Sequence, residues 1–284
     1  MPSPTPPRGP TLAALIALTM LAFAANSVLN RLAVAGGTDP VAFGAIRLAS
    51  GALLLLALAA RRGRVRLGGR GRAAGTGALL LYIFGFSAAY AALDTGLGAL
   101  ILFGCVQITM FAGAWLGGEP IPPRRWAGAG IAFAGLVLLL WPSGAAAPSP
   151  WHAALMAAAG LGWGLYSLAG RRAADPLAET AANFACAAPV ALLAWLVLGG
   201  GVPVAGAVLA VLSGAIASGL GYALWYSLLP RLPAALAAIA QLTVPLIATA
   251  GGVVLVGESV GVRFALATVL VLGGLGVSLV RRRG

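Results

Sequence analysis

The chain carries few groups able to move a proton, attack a carbonyl or hold a metal: six carboxylates, one histidine and two cysteines in 284 residues. Asp39, Asp94, Glu119, Asp175, Glu179 and Glu258 all stand at the ends of apolar runs or between them, and His152 lies at the start of one. Cys105 and Cys186 sit singly inside apolar runs, with no metal-ligand spacing. Val211-Leu-Ser213-Gly lacks the first glycine of a Gly-x-Ser-Gly turn, so no activated nucleophile is evident. The pattern argues against an enzyme and calls for no cofactor or metal.

Residues suited to binding are better represented. Trp163 lies mid-run, with Tyr166 one turn on and Gly160, Gly162 and Gly164 around it, so other backbones or a ligand can come close. Tyr82, Phe86 and Tyr90 recur at i, i+4 and i+8, which puts them in one stripe on a helix. Asn26 and Asn30, one turn apart, and Gln107, Tyr222 and Gln241 place amides and a hydroxyl inside apolar runs, where facing lipid is costly. Turned inward, these groups would line a cavity suited to a zwitterion, its ammonium on an aromatic face and its carboxylate on amides and hydroxyls. The competing use of each is helix packing or an interhelical hydrogen bond, worth about 0.6–2 kcal/mol in a membrane. The remaining tryptophans, Trp115, Trp126, Trp141, Trp151 and Trp195, with Trp225 close to a run end, fit an interfacial belt.

The elements that position these residues follow from composition. With 61% hydrophobic residues, 8% charged and a mean hydropathy of +0.99, water is not the main solvent of this surface. Ten apolar runs are readable, at 11–32, 40–60, 74–93, 98–117, 124–141, 151–170, 178–198, 205–229, 234–256 and 262–280, each near the ~20 residues that cross a bilayer as a helix. Residues 1–10, with five prolines, read as a disordered tail, and the uncharged 142–150 stretch as the joint between halves 11–145 and 148–284. The apolar run that starts near residue 11 continues to Ala35, so it reads as a retained span and not as a cleaved signal.

The net charge of +12 is all arginine. If the N-terminus is cytoplasmic, fifteen of the eighteen arginines fall in cytoplasmic segments, and only Arg31, Arg47 and Arg263 lie toward the other side. That bias predicts both termini in the cytoplasm. No folded basic module exists to present the charge to a nucleic acid. The expected partners are a bilayer and a small molecule, with a monomer as the expected state.

Two stretches answer each other. Trp115-Leu-Gly-Gly-Glu119 and Leu255-Val-Gly-Glu258 each close an apolar run, and Gly135 and Gly274 each lie sixteen residues past the Glu. Aligning the halves sets Phe23, Ser27 and Arg31 against Trp163, Ser167 and Arg171; Asp39-Pro40 against Asp175-Pro176; Phe86 and Tyr90 against Tyr222 and Tyr226; and Gln107 against Gln241. A repeat of five spans must have its copies upside down relative to each other, a signature of secondary transporters.

These features together, with Arg47 partway along the second run, Pro245 in the ninth and glycines in the fifth and tenth, resemble the drug/metabolite transporter superfamily, EamA type. The resemblance covers nearly the whole chain. Where a proline is common in the fourth span of the family, this chain has Val106-Gln107. The resemblance implies an all-α bundle of ten transmembrane helices in a bacterial inner membrane, and spans 5 and 10 bracing the other eight. The aromatic set is similar to that of the family's amino-acid exporters, which implies outward movement of aromatic or hydrophobic amino acids. Drugs or other neutral metabolites are the alternative cargo, and a non-transporting receptor or scaffold the alternative class. Because no carboxylate lies mid-run, a uniporter or facilitator is favoured over a proton antiporter.

Structural roles are expected for five residues. Arg47 should snorkel outward or bond helix-end carbonyls or Asp39, with direct contact to the substrate as the alternative. Glu119 and Glu258 should each cap the helix that follows, and Pro189 and Pro245 are hinge candidates.

Overall fold

A computed structural model describes residues 9–63, 65–69, 71–117, 123–140, 148–170, 175–228, 240–241 and 243–279. Its described residues contain helices and no strand. The helices are α1 (Gly9–Ala35), α2 (Pro40–Ala60), α3 (Arg72–Ala89), α4 (Thr95–Leu116), α5 (Pro123–Leu140), α6 (Pro150–Gly170) and α7 (Pro176–Leu198). Next come α8 (residues 204–228), α9 (243–256) and α10 (Val262–Leu279). Helix α8 has a π-helical middle, Leu212–Leu220, and α9 a π-helical end, Gly252–Val256. Glu119, Trp141, Arg171, Arg172, Arg231, Arg281 to Arg283 and the first eight residues lie outside the described residues.

Among the described residues, six helices are long and apolar enough to cross a membrane: α1 to α4, α7 and α8. Helix α9 and parts of α5 and α10 are shorter apolar helices. Many large apolar side chains face outward, including Leu53, Leu196, Leu198, Val204 and Val262. Such a surface would aggregate in water and is the expected face toward lipid.

The halves exchange roles in the packing. Helix α1 packs on α8 and α9, as α6 packs on α3 and α4; α2 packs on α8, as α7 packs on α3. The pairs α2 with α7, α4 with α9 and α5 with α10 cross between halves. This is the pattern of a pseudo-two-fold axis relating helix n to helix n+5. Direction is reversed between mates. Helix α2 starts at the end of the bundle that carries Glu258, where the Asp39 N–H donates to Gly201 O, whereas α7 starts at the opposite end beside Arg72. Both starts are built alike: Asp39 accepts from the backbone N–H groups of Val41 and Ala42, Asp175 from that of Ala178, and proline fills the first helical position of each.

Helices α5 and α10 stand apart as a pair, joined at the glycines whose spacing marks the repeat. A Cβ on Gly135 would lie 2.9 Å from Leu270 Cβ, and one on Gly274 would press into the α5 backbone at Gly128 and Ala132. One large core cluster runs through the bundle, and Ala132 of α5 with Ala267 and Val271 of α10 belong to it. Helix α3 ends at Ala89, four residues before the apolar run does, because residues 90–94 turn toward the start of α4.

Candidate functional site

Trp163 reaches the middle of this core because glycine lies on both sides of it. A Cβ at Gly162 would stand 2.7 Å from Ala78 O and 2.8 Å from Tyr82 N, so only glycine lets α6 lie against the α3 backbone here. Gly160 and Gly164 meet α4 in the same way, at Leu102 O and Thr109. The Trp163 ring, 5% exposed, is thereby held 5.0 Å from Tyr82, 4.8 Å from Tyr222 and 5.7 Å from Tyr166, centroid to centroid. Its repeat mate Phe23 meets it edge-on at 6.1 Å. The mates Phe86 and Tyr222 are also buried here, so the pseudo-axis runs through the aromatic cluster.

A polar chain crosses the cluster. Ser213 and Ser218 both donate to Asn26 Oδ1, at 2.8 and 3.2 Å. Residues five apart diverge on an α-helix; the wider π turn of α8 brings them to one side. Ser218 Oγ in turn accepts from Arg47 Nε at 3.0 Å, Arg47 Nη2 donates to the Tyr82 hydroxyl at 3.0 Å, and the Tyr222 hydroxyl lies 3.4 Å from that of Tyr82.

Arg47 corrects the sequence expectation. It neither snorkels nor meets Asp39 or helix-end carbonyls, and its side chain is fully buried. The guanidinium carbon sits 5.3 Å from the Tyr82 ring centroid and 5.2 Å from that of Phe86. Helix α2 turns this position inward because Gly51, four residues on, receives the Phe184 ring and Gly214 O, drawing α7 and α8 over that face.

Phe23, Asn26, Ser27, Tyr82, Phe86, Leu102, Phe103, Trp163 and Tyr222 enclose a cavity of about 10 Å³. That is room for about one water. The site is therefore closed in this conformation, and any ligand larger than water requires the helices to part.

The structure gathers Asn26, Tyr82, Phe86, Trp163, Tyr166 and Tyr222 into one cluster and leaves other candidates outside it. Asn30 instead donates to Ser87 Oγ at 2.9 Å, tying α1 to α3. Tyr90 donates to Thr95 O at 3.2 Å, below the start of α4. Gln107 and Gln241 do not line the cavity. Pro189 interrupts α7 from within, and Pro245 is the third residue of Thr243–Gly251 in α9. Trp225, placed near a belt by the sequence, is 5% exposed and packs on Phe23 at 5.8 Å; Trp115, Trp126 and Trp151 are exposed as expected. Sequence reasoning weighed Ser213 only as a nucleophile and passed over Ser218; the signal for both is a pair of serines in an apolar run. Phe23 and Ser27 were visible solely through the repeat alignment.

Glu258 does cap a helix, but not the one it precedes. Gly257, at φ +79°, ends α9 in the left-handed region, and the Glu258 N–H returns to Gly252 O at 3.1 Å. That turn swings the carboxylate onto α4, where both oxygens accept from Thr95 N at 2.8 Å and one from Thr95 Oγ1 at 2.9 Å. Arg31 pairs with it at 3.4 Å and donates to Tyr90 O at 3.0 Å. At the opposite end Arg72 pairs with Glu179 at 2.7 Å and donates to Asn183 Oδ1 at 2.7 Å.

The model of the EamA-like transporter family matches residues 11–141 and again 150–280. A Pseudomonas aeruginosa protein described as uncharacterized is 47% identical over 273 residues, 95% of each chain. A solved structure described as "Crystal structure of protein" superposes with a TM-score of 0.69 at 22% identity, covering 96% of this chain and 99% of that one. The last likeness concerns the fold alone.

Proposed function

Since the chain belongs to the EamA-like transporter family, we propose that it exports aromatic or other hydrophobic amino acids across a bacterial inner membrane by alternating access. On this reading ten helices cross the bilayer, both termini are cytoplasmic and the protein acts as a monomer. The observation that carries the substrate is the cluster on the pseudo-axis: an aromatic wall of Trp163, Tyr82, Tyr222 and Phe23 beside the Asn26, Ser213 and Ser218 hydrogen-bonding chain. Rings of this kind accept an ammonium or another ring, and a site at the repeat interface is where rocking of one repeat against the other exposes it to each side in turn.

The described carboxylates support movement without proton coupling, since each caps a helix or pairs with an arginine near an end of the bundle. Pro189 and Pro245 are the proposed points of bending. Counterflow of labelled phenylalanine in proteoliposomes tests the reading: exchange that saturates and is competed by tyrosine or tryptophan is expected. Absence of flux with every amino acid tried would overturn it.

A further inference from the structure

We infer that the Arg47 guanidinium is the receptor for an anionic group of the cargo, the carboxylate in the case of an amino acid. The inference rests on the transport reading and deepens it, because it makes a carboxylate a requirement of the cargo.

A guanidinium withdrawn fully from water needs a counter-charge or a complete set of acceptors. Arg47 has neither. Two of its nitrogens are met by neutral hydroxyls, those of Ser218 and Tyr82, while Nη1 is buried with no hydrogen-bond partner. Every carboxylate among the described residues is engaged elsewhere: Asp39 and Asp175 cap α2 and α7, Glu179 pairs with Arg72, and Asp94 and Glu258 pair with Arg31.

Position suits the guanidinium to a transient anion. Tyr82 and Phe86, neighbouring rings 5.4 Å apart that both lie against the guanidinium, also line the cavity on the pseudo-axis. Arg47 does not itself line the cavity, and parting of α3 from α8 at the Tyr82–Tyr222 contact would extend the cavity toward the guanidinium. A carboxylate arriving there would take Nη1 and share Nη2 with Tyr82 in the forked geometry that arginine offers. Its ammonium would then lie toward Trp163 and Tyr222. The hydroxyls and ring faces hold the charge without satisfying it, so binding an anion is favoured over an uncharged group of similar shape.

The test is competition against labelled phenylalanine, read together with ligand-induced thermal stabilisation of the purified protein. The competitors are phenylalanine, phenylalaninamide, phenethylamine and 3-phenylpropionate, each in chloride and in sulfate buffer. Removing the carboxylate should weaken competition about ten- to a hundred-fold, while 3-phenylpropionate, which lacks the ammonium, still competes and stabilises. R47Q should erase the difference between phenylalanine and its amide, and R47K should restore part of it. If R47Q does not fold, the wild-type series decides alone. Equal competition by phenylalanine and its amide would overturn the receptor while leaving amino-acid transport standing. Stabilisation that requires chloride and ignores the carboxylate would assign the site to an inorganic ion and overturn the inference. Stabilisation by 3-phenylpropionate with no amino-acid flux would keep the receptor and overturn the transport reading.

Discussion

Replacing Glu258 tests how the bundle is closed at one end. Its carboxylate, 9% exposed, accepts from the Thr95 backbone N–H and from the Thr95 hydroxyl, and it faces Arg31 at 3.4 Å. Loss of a helix cap costs about 1 kcal/mol, and loss of a charge-assisted hydrogen bond about 1.5–3 kcal/mol. Arg31 retains Tyr90 O and stays within 3.9 Å of Asp94, so its charge is not stranded. The sum for Glu258→Ala is about 3 kcal/mol, whereas Glu258→Gln keeps one acceptor oxygen for Thr95 and loses the charge and the second acceptor, about 1–2 kcal/mol. At about 2–4 °C per kcal/mol, Ala should lower the melting temperature in detergent by about 6–12 °C and Gln by roughly half that. The partner should show up in a double-mutant cycle: Thr95→Ala and Glu258→Ala should be non-additive by about 1 kcal/mol. A carboxylate that capped α10, the helix it precedes, would give full additivity with Thr95→Ala. That result, or a Glu258→Ala protein melting with wild type, would refute the reasoning.

Trp163→Ala should abolish phenylalanine flux and also destabilise the protein by about 3–5 kcal/mol, since the ring is buried; Trp163→Phe, assayed for flux and melting temperature, should restore stability more than flux. Gly162→Ala should lower the yield of monodisperse protein on size exclusion, because its Cβ meets two α3 backbone atoms that cannot rotate away. Adjacent glycines in α10 should behave oppositely. Gly274→Ala, against the α5 backbone, should lower the melting temperature, and Gly273→Ala, with nothing within 4 Å, should raise it slightly through helix propensity and the unfolded chain. Neither should alter competition between substrates, because the α5–α10 pair does not line the cavity.

What could be read from sequence were features set by period and by local chemistry. Where their ends fall among the described residues, apolar runs gave helix positions to within a few residues; the start of the ninth run, at 234, lies outside them. The Asp-Pro match between halves marks the starts of α2 and α7 in the structure, and the sixteen-residue spacing gave the two glycines that join α5 to α10. The repeat alignment paired Phe23 with Trp163, and the structure puts the two rings in contact. Features set by three helices at once were beyond it. Whether Arg47 points to water or to the core depends on Gly51, Phe184 and Gly214, residues on three different helices. The alignment of Ser213 with Ser218 depends on a π turn that no residue of Leu212–Leu220 announces. A Glu that caps a distant helix looks, in sequence, like one that caps its neighbour, because the chemistry is the same and only the turn at Gly257 decides the partner.

The Gly257-Glu258 turn thus ties the end of α9 to the start of α4. Gly252 lies directly under the Glu258 carboxylate and against Thr95 Cβ, so the π-helical end of α9, the left-handed Gly257 and the start of α4 form one contact. At the other end the closing contact is Arg72 with Glu179 and Asn183, joining α3 to α7. Both contacts are intact around a cavity with room for about one water. On the proposed mechanism, neither side is reached until one of them opens. The two are unequal in chemistry: the first contains a helix cap that water only partly replaces, while the second is an ion pair whose Glu179 is 44% exposed and readily solvated. The free energy for opening the Glu258 end must therefore come from somewhere other than solvent. An anion settling on Arg47 is well placed to supply it, because Arg47 holds Tyr82 of α3 and Ser218 of α8, helices that pair with mates from the opposite repeat.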